Sequence, residues 1–158
     1  MKSYFCNQVA LSKVGDEVEL KGWLKSKNNL GRILFLRVQD STGVVQCIVS
    51  KQTDENMYKL ASSIPIEAAV VINGTIQDND GVHEIVVSSV KISSLSKELS
   101  PKPRDNFDIF NEKYTDHILS NRHLYIRNPA LHATLKARSD VIGYLHNWFR
   151  SESFMALD

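Results

Sequence analysis

The chain has 158 residues, of which 42% are hydrophobic and 23% are charged, a composition typical of a globular protein with one domain or one domain and an appendage. Nineteen basic and eighteen acidic residues leave a formal charge of +1, so that overall charge does not indicate a nucleic-acid partner and any basic surface must be local. No stretch reaches the roughly 18 apolar residues of a membrane span, and the N-terminus lacks a signal-peptide core. We therefore expect a cytoplasmic protein with no membrane partner.

The first part of the chain has the pattern of five strands and one helix. Alternating apolar residues or short apolar, β-branched runs mark the strands. The predicted strands are 17–25, 33–38, 44–49, 68–76 and 85–92. Residues 28–31, Asn-Asn-Leu-Gly, have the composition of a loop. Asp54 is the expected N-cap of a helix over 54–63, which Pro65 ends.

Five strands with a helix between the third and the fourth predict a mainly β domain. We predict a five-stranded OB-fold, a small Greek-key barrel, over residues 1–95. An SH3-like barrel is the competing pattern, but it does not normally place a full helix at that position. Cys6 and Cys47 have no close-spaced partners and the five histidines are scattered, so we expect neither a disulfide framework nor a metal site.

The composition changes after the fifth predicted strand. Residues 96–128 begin with serine and proline, cannot continue a sheet, and are expected to be a linker or hinge. A long amphipathic helix is predicted to begin at Pro129 and to run to Arg150. Its apolar stripe contains Leu131, Leu135, Ile142, Leu145 and Phe149. Nothing after the helix can cover this stripe, and three explanations are open: the helix folds back on the barrel, it pairs with another chain, or residues 129–158 are the incomplete start of a further domain.

The hairpin formed by the first three predicted strands contains the residue types that single-stranded RNA recognition requires. Phe35 offers a ring for stacking, and Gln46 offers an amide that can read a base edge. Four cations can contact phosphates, and no carboxylate interrupts them. They are Lys25, Lys27, Arg32 and Arg37. A solvated hairpin face without a partner is the alternative interpretation of the same residues.

These residues also resemble a known pattern. Gly22-Trp23, Gly31, Phe35, Asp40-Ser41-Thr42-Gly43 and Gln46 are similar to the anticodon-binding OB domain of class IIb aminoacyl-tRNA synthetases. Residues 122–129, Arg-His-Leu-Tyr-Ile-Arg-Asn-Pro, resemble the segment that opens the catalytic module of these enzymes, and the helix after it resembles motif 1. Residues 116–124 resemble asparaginyl more than aspartyl enzymes. Departures from the pattern are Gln39, Ser153 and Ala156.

The resemblance implies a role for each residue of the hairpin. Phe35 would stack on the middle anticodon base, a uridine, and Gln46 would bond its Watson–Crick edge. Glu84 would read the first base, a guanine, because a carboxylate accepts from its two donors. The phosphate contacts would come from Lys25, Lys27, Arg32 and Arg37. The alternatives are a core position for Phe35, an outward polar role for Gln46 and a surface ion pair for Glu84, while Trp23 is expected to pack in the barrel.

The resemblance also implies how the chain relates to its family. Motif 1 forms the homodimer interface in such enzymes, which assigns that role to Leu135, Ile142, Leu145 and Phe149. The later motifs that build the ATP site do not occur in these residues, and the chain stops within motif 1. We therefore expect no catalytic residues and no cofactor here, with ATP and Mg²⁺ acting only in the full-length parent, and interpret the chain as an excised fragment or truncated gene product.

Three hypotheses for the function remain open at this stage. The first is the tRNA-binding module of an asparagine–tRNA ligase, with the equivalent part of an aspartate–tRNA ligase as its near alternative. The second is a stand-alone OB-fold RNA-binding protein. The third is a protein-interaction barrel in which the basic hairpin is incidental and the long helix serves dimerisation.

Overall fold

A computed structural model describes residues 2–97 and 108–155 of the chain. They belong to two compact units, one within residues 1–98 and the other within residues 99–158. Residues 98–107, which include both prolines of the predicted linker, and the last residues of the motif-1 resemblance, at 156–158, lie outside the described residues. Within the described part of the chain, no helix is both long and apolar enough to cross a membrane.

The first unit is a closed barrel. Its elements are β1 (Lys2–Tyr4), α1 (Cys6–Val9), β2 (Glu17–Leu30), β3 (Ile33–Gln39), β4 (Val44–Ser50), α2 (Glu55–Ser63), β5 (Ala69–Asn79) and β6 (Val82–Ser94). The strand order is β1-β2-β3-β4-β6-β5, and a further pairing between β2 and β5 closes the sheet. This arrangement confirms the predicted mainly β OB-fold, with the five predicted strands as β2 to β6 and the predicted helix as α2 between β4 and β5.

The barrel differs from the sequence prediction at its N-terminus and in its first hairpin. The short elements β1 and α1 were not predicted, and β1 pairs in parallel with the start of β2. The Asn-Asn-Leu stretch at 28–30 is strand rather than loop, because Asn28 and Asn29 pair with Phe35 and Leu34 across the hairpin. Only Gly31, with a φ of +70°, and Arg32 make the turn. The hydroxyl of Tyr58 on α2 lies 2.7 Å from Asn29 Oδ1, which ties the hairpin to the helix.

The core consists of the inward-facing residues of the strands together with one face of α2. Leu20, Leu36 and Ile72 are among the side chains with under 2% exposure. Helix α2 begins as predicted, with the Asp54 carboxylate accepting from the Met57 N–H at 2.9 Å. Burial raises the pKa of the Cys47 thiol, so that this residue acts as a small apolar group in the core.

The second unit is helical in its described residues. Its elements are a 3₁₀ turn (Glu112–Tyr114), α3 (Thr115–Ser120), α4 (Arg122–Tyr125) and α5 (Pro129–Ser151). The long helix α5 begins at Pro129 as predicted, because Asn128 caps it by accepting from the Ala130 N–H at 3.0 Å. The short helices before it were not predicted, since residues 108–127 show no clear apolar period.

Candidate nucleic-acid interface

Outward-facing side chains of four neighbouring strands form two rows on the outer face of the barrel. The inward neighbours Leu34, Leu36 and Val38 are buried, and alternation along the strand therefore turns Phe35 and Arg37 outward. The pairing register aligns these residues with those of β4, β6 and β5. One row is Arg37, Gln46, Glu84 and Gln77, and the next is Phe35, Ile48, Val86 and Thr75. We call these eight residues the outer platform.

The Phe35 ring lies on this outer platform and is partly exposed. It is flanked on its own row by Asn28 of β2 and Ile48 of β4. Val86, next to Ile48 on β6, has a relative exposure of 38%. The structure therefore excludes the core position that was the alternative for Phe35. An exposed ring bordered by apolar side chains is a surface on which a base can stack.

Gln46 and Glu84 form a hydrogen-bonded pair in the neighbouring row. Gln46 Nε2 donates to Glu84 Oε1 at 2.5 Å, and Asn79 Nδ2 donates to Glu84 Oε2 at 3.3 Å. Glu84 is only 5% exposed. Within residues 2–97 and 108–155 its hydrogen-bond partners are these two amides and no cation, so the surface ion pair considered for Glu84 is not formed.

Lys27 lies apart from the outer platform. A bulge in β2 between Leu24 and Ser26 shifts the register, so that Ser26 lies opposite Arg37 and Lys27 lies opposite the buried Leu36. The Lys27 ammonium donates to two carbonyls at the C-terminal end of α2, at 2.5 Å to Ser62 and 2.8 Å to Ile64. A cation suits this end of a helix, where carbonyl groups lack partners along the chain.

The other three cations occupy different positions. Arg37 is exposed on the outer platform, and its guanidinium has no hydrogen bond or ion pair to any residue that the structure describes. Arg32 is exposed at the hairpin turn, next to Gly31. Lys25 is partly buried at the β2 bulge. The structure thus brings Phe35, Gln46 and Glu84 together with one of the four sequence-predicted cations, Arg37.

The position of Lys27 predicts a structural effect of its replacement. Lys27→Met keeps most of the stem but removes the charged donor from two carbonyls, and we expect the free energy of unfolding to fall by about 1–2 kcal/mol. Urea titration would measure it, with the exposed Arg32→Gln as control at under about 0.5 kcal/mol. Unchanged stability together with RNA binding that is less sensitive to salt would instead assign Lys27 to a phosphate contact.

Trp23 corrects one expectation from the sequence. Its side chain is 51% exposed on the outer face rather than packed in the barrel. The reason is the alternation of β2, in which Leu20 and Leu24 are fully buried and Trp23 must face the other way. Alternation in β4 follows the same rule: Cys47 and Val49 are buried, so Ile48 must face outward. The sequence interpretation missed Ile48 as a residue of the outer platform.

Comparison with known proteins relates this geometry to a family. Residues 18–93 match the family model of the tRNA anticodon OB-fold nucleic acid binding domain. The chain is similar to the crystal structure of asparaginyl-tRNA synthetase from Pyrococcus horikoshii complexed with asparaginyl-adenylate, with a TM-score of 0.81 and 26% identity. That match covers 98% of this chain and 36% of the other one.

Two further solved structures share the fold at lower identity. Aspartyl-tRNA synthetase from Entamoeba histolytica has a TM-score of 0.80 and 18% identity, covering 100% of this chain and 39% of its own. Asparaginyl-tRNA synthetase from the same organism has a TM-score of 0.68 and 21% identity, covering 95% and 36%. The chain therefore spans well under half the length of these three synthetases.

Proposed function

Because residues 18–93 belong to the tRNA anticodon family of OB-fold nucleic acid binding domains, we propose that this chain is the anticodon-binding module of an asparagine–tRNA ligase. The observation that carries the proposal is the outer platform, on which Phe35, Arg37, Gln46 and Glu84 share two adjacent rows. The similarity at 26% identity to an asparaginyl-tRNA synthetase supports the choice of amino acid. The equivalent module of an aspartate–tRNA ligase is the alternative.

Three residues of the outer platform have distinct tasks in reading the anticodon. Phe35 stacks on the middle anticodon base, and Gln46 pairs with the Watson–Crick edge of that base, a uridine. Glu84 accepts from the donors of a guanine at the first position. An ionised carboxylate has about four acceptor positions, and the two amides occupy two of them here, which leaves two acceptor positions for the donors of guanine.

Positioning of the RNA is assigned to cations that read no sequence. Arg37 has no protein partner within the described residues and lies beside Gln46, and Arg32 extends the cationic surface to the hairpin turn. Lys25 at the bulge is retained in the proposal, whereas Lys27 is assigned to the end of α2. In the longer parent that the proposal implies, ATP and Mg²⁺ would serve amino-acid activation in cytoplasmic translation, and no residue of the outer platform is assigned to them.

The test is binding of an anticodon stem-loop with the anticodon GUU, compared with the same loop carrying C at the centre. We expect a preference of roughly 1–3 kcal/mol for the central U, and an affinity that falls as salt rises. Arg37→Gln should lower the salt dependence by about one phosphate contact. The control Lys59→Gln, on the exposed face of α2 where Lys59 pairs with Glu55, should not change it.

Two other results would replace the proposal. Equal, salt-sensitive binding of both loops would indicate a stand-alone OB-fold protein that binds RNA without reading the anticodon. Absence of binding to either loop would favour the protein-interaction barrel. A comparison of GUU with GUC would address the aspartate alternative, because the two tRNAs differ at the third anticodon position.

Phe35→Ala is expected to weaken binding of the GUU loop by roughly 1–3 kcal/mol, the contribution of one stacked base. The barrel should remain folded, because the ring lies outside the core. Fluorescence anisotropy at fixed salt measures the affinity, and circular dichroism checks the fold. Phe5→Ala is the matched control, since Phe5 is 57% exposed but lies outside the outer platform. Unchanged affinity of Phe35→Ala would remove the ring from the site.

We also propose that α5 pairs with a second copy of the chain. Ile142, Leu145 and Phe149 are 42%, 51% and 45% exposed, and with Leu135 they share one side of the helix. Light scattering should give twice the monomer mass, and Leu145→Lys should give the monomer. Asn147→Lys, on the opposite side of α5, is the control. A wild-type monomer at high concentration would contradict this pairing.

A further inference from the structure

The hydrogen bond between Gln46 and Glu84 determines which way the Gln46 amide faces. A glutamine amide can present either its N–H groups or its oxygen to a neighbour. An ionised carboxylate only accepts hydrogen bonds, so Gln46 must turn Nε2 towards Glu84, and these atoms are 2.5 Å apart. The Gln46 oxygen is therefore directed away from Glu84, and the amide has one orientation rather than two.

Glu84 is itself held in place, which makes it a firm reference for the amide. Its side chain is 5% exposed, and its second oxygen accepts from Asn79. Strand β6, which carries it, is paired on both sides, with β4 through Cys47 and Ile85 and with β5 through Gln77 and Glu84. The strand pairing fixes the backbone of Glu84, and the Asn79 amide fixes its carboxylate. The carboxylate therefore cannot readily move with the Gln46 amide if that amide rotates.

Uracil and cytosine differ in the property that a fixed amide can read. The two rings have the same shape, but uracil has a donor at N3 and an acceptor at C4, whereas cytosine has an acceptor at N3 and a donor at C4. For a ring held on Phe35, an amide of one orientation matches one of these orders, and the reversed amide matches the other. A mismatched pair leaves buried donors or acceptors without partners.

We infer that Glu84 is a positioning residue that holds the Gln46 amide in the orientation that pairs with uracil and rejects cytosine. The inference rests on the proposed function, in which Phe35 and Gln46 hold the middle base. It adds a source of base specificity to that function, because Glu84, acting through Gln46, then determines which base is accepted on Phe35.

The test replaces Glu84 with a partner that does not impose an orientation. In Glu84→Gln, the amide at position 84 can donate or accept, so the Gln46 amide is free to adopt both orientations. Both loops carry an abasic first anticodon position, which removes any contact of Glu84 with the first base. A wild-type preference for central U over C of about tenfold or more should fall to about threefold or less.

A conservative variant supplies the rescue. Glu84→Asp keeps a carboxylate, which can only accept from Gln46 Nε2. Its preference for U should lie closer to that of the wild type than to that of Glu84→Gln, which a merely structural role of Glu84 would not produce. Ser88→Ala, exposed on β6 but outside the outer platform, should keep the wild-type preference. Thermal melting checks that each variant is folded.

The outcomes separate the inference from the proposed function. Equal binding of both loops by the wild-type chain contradicts the proposed function itself. A wild-type preference that Glu84→Gln retains overturns the inference and leaves the proposed function standing, and so does a Glu84→Asp variant that is as unselective as Glu84→Gln. If Glu84→Gln does not fold, Glu84→Leu, which offers no acceptor to the Gln46 amide, decides alone: loss of the preference for U supports the inference, and its retention overturns it.

Discussion

Replacing Gly74 with alanine is expected to lower the free energy of unfolding of the barrel by about 3 kcal/mol. A Cβ at this position would lie 2.2 Å from the carbonyl oxygen of Val86 and 2.6 Å from Ile85 Cγ2. The first contact is with backbone, which can move only if β5 and β6 separate locally. The register shift between Asn73 and Gly74 lies at this point, where the two strands approach closely.

Thermal unfolding would measure the effect, with a decrease in Tm on the order of 15 °C for a domain of this size. Gly43→Ala is the matched control, because its Cβ would meet only Cys6 Cβ at 3.7 Å, an ordinary contact. We expect it to change stability by less than about 1 kcal/mol. A Gly74→Ala variant with the same Tm as Gly43→Ala would mean that the strands adjust to the extra methyl group. Because β6 carries Glu84 and Val86, we also expect Gly74→Ala to weaken binding of the anticodon loop.

Replacing Asp40 with alanine is expected to cost the barrel about 3 kcal/mol, because one carboxylate joins two separate segments. Asp40 Oδ2 accepts from the Cys6 N–H at 2.7 Å, which fixes the N-terminal segment to the turn between β3 and β4. Asp40 Oδ1 accepts from the Thr42 N–H and hydroxyl, both at 2.7 Å, and from the Gly43 N–H at 3.1 Å. Removing the carboxylate leaves these donors without their partner.

The effect should depend on pH in a defined direction. Burial acts to raise the pKa of Asp40, but the hydrogen bonds from Cys6 and Thr42 outweigh it and hold the pKa below its ordinary value. The charged form therefore stabilises the fold above the unfolded carboxyl pKa of about 4, and this stabilisation is lost as pH falls through the lower pKa of the folded state. The stability difference between wild type and Asp40→Ala should shrink below about pH 4.

Urea titrations at pH 7 and at pH 3 would measure the stability lost in Asp40→Ala and its dependence on pH. Asp16→Ala is the control, since among the described residues the Asp16 carboxylate accepts one hydrogen bond, from the Lys13 N–H at 3.3 Å, and its loss should cost under about 1 kcal/mol. A difference between wild type and Asp40→Ala that stays constant with pH would assign the effect to packing rather than to the charge. Asp40→Asn further separates the effect of charge from that of packing. It keeps the size of the side chain, but its amide places an N–H donor where N–H and hydroxyl donors already converge.

The strand pattern of this chain could be predicted because alternation is a local property. Leu34, Leu36 and Val38 alternate with outward residues, and this alone places Phe35 and Arg37 on one face. The cap of α2 by Asp54 and the start of α5 at Pro129 were equally local, since each depends on side chains within one turn. The continuation of β2 through Asn28 and Asn29 was missed, because pairing with β3 overrides the loop preference of asparagine.

The amino-acid sequence by itself determined the barrel, the residue types of the candidate site and the family resemblance, because short-range periodicity and motif spacing are written along the chain. Only the tertiary structure decided which of these residues meet. A one-residue bulge at Lys25 turns Lys27 towards the end of α2 and leaves Arg37 as the cation of the outer platform. The parallel pairing of β4 with β6 joins Gln46 to Glu84, 38 positions apart. Register between distant strands is set by the closure of the whole sheet, and no local pattern records it.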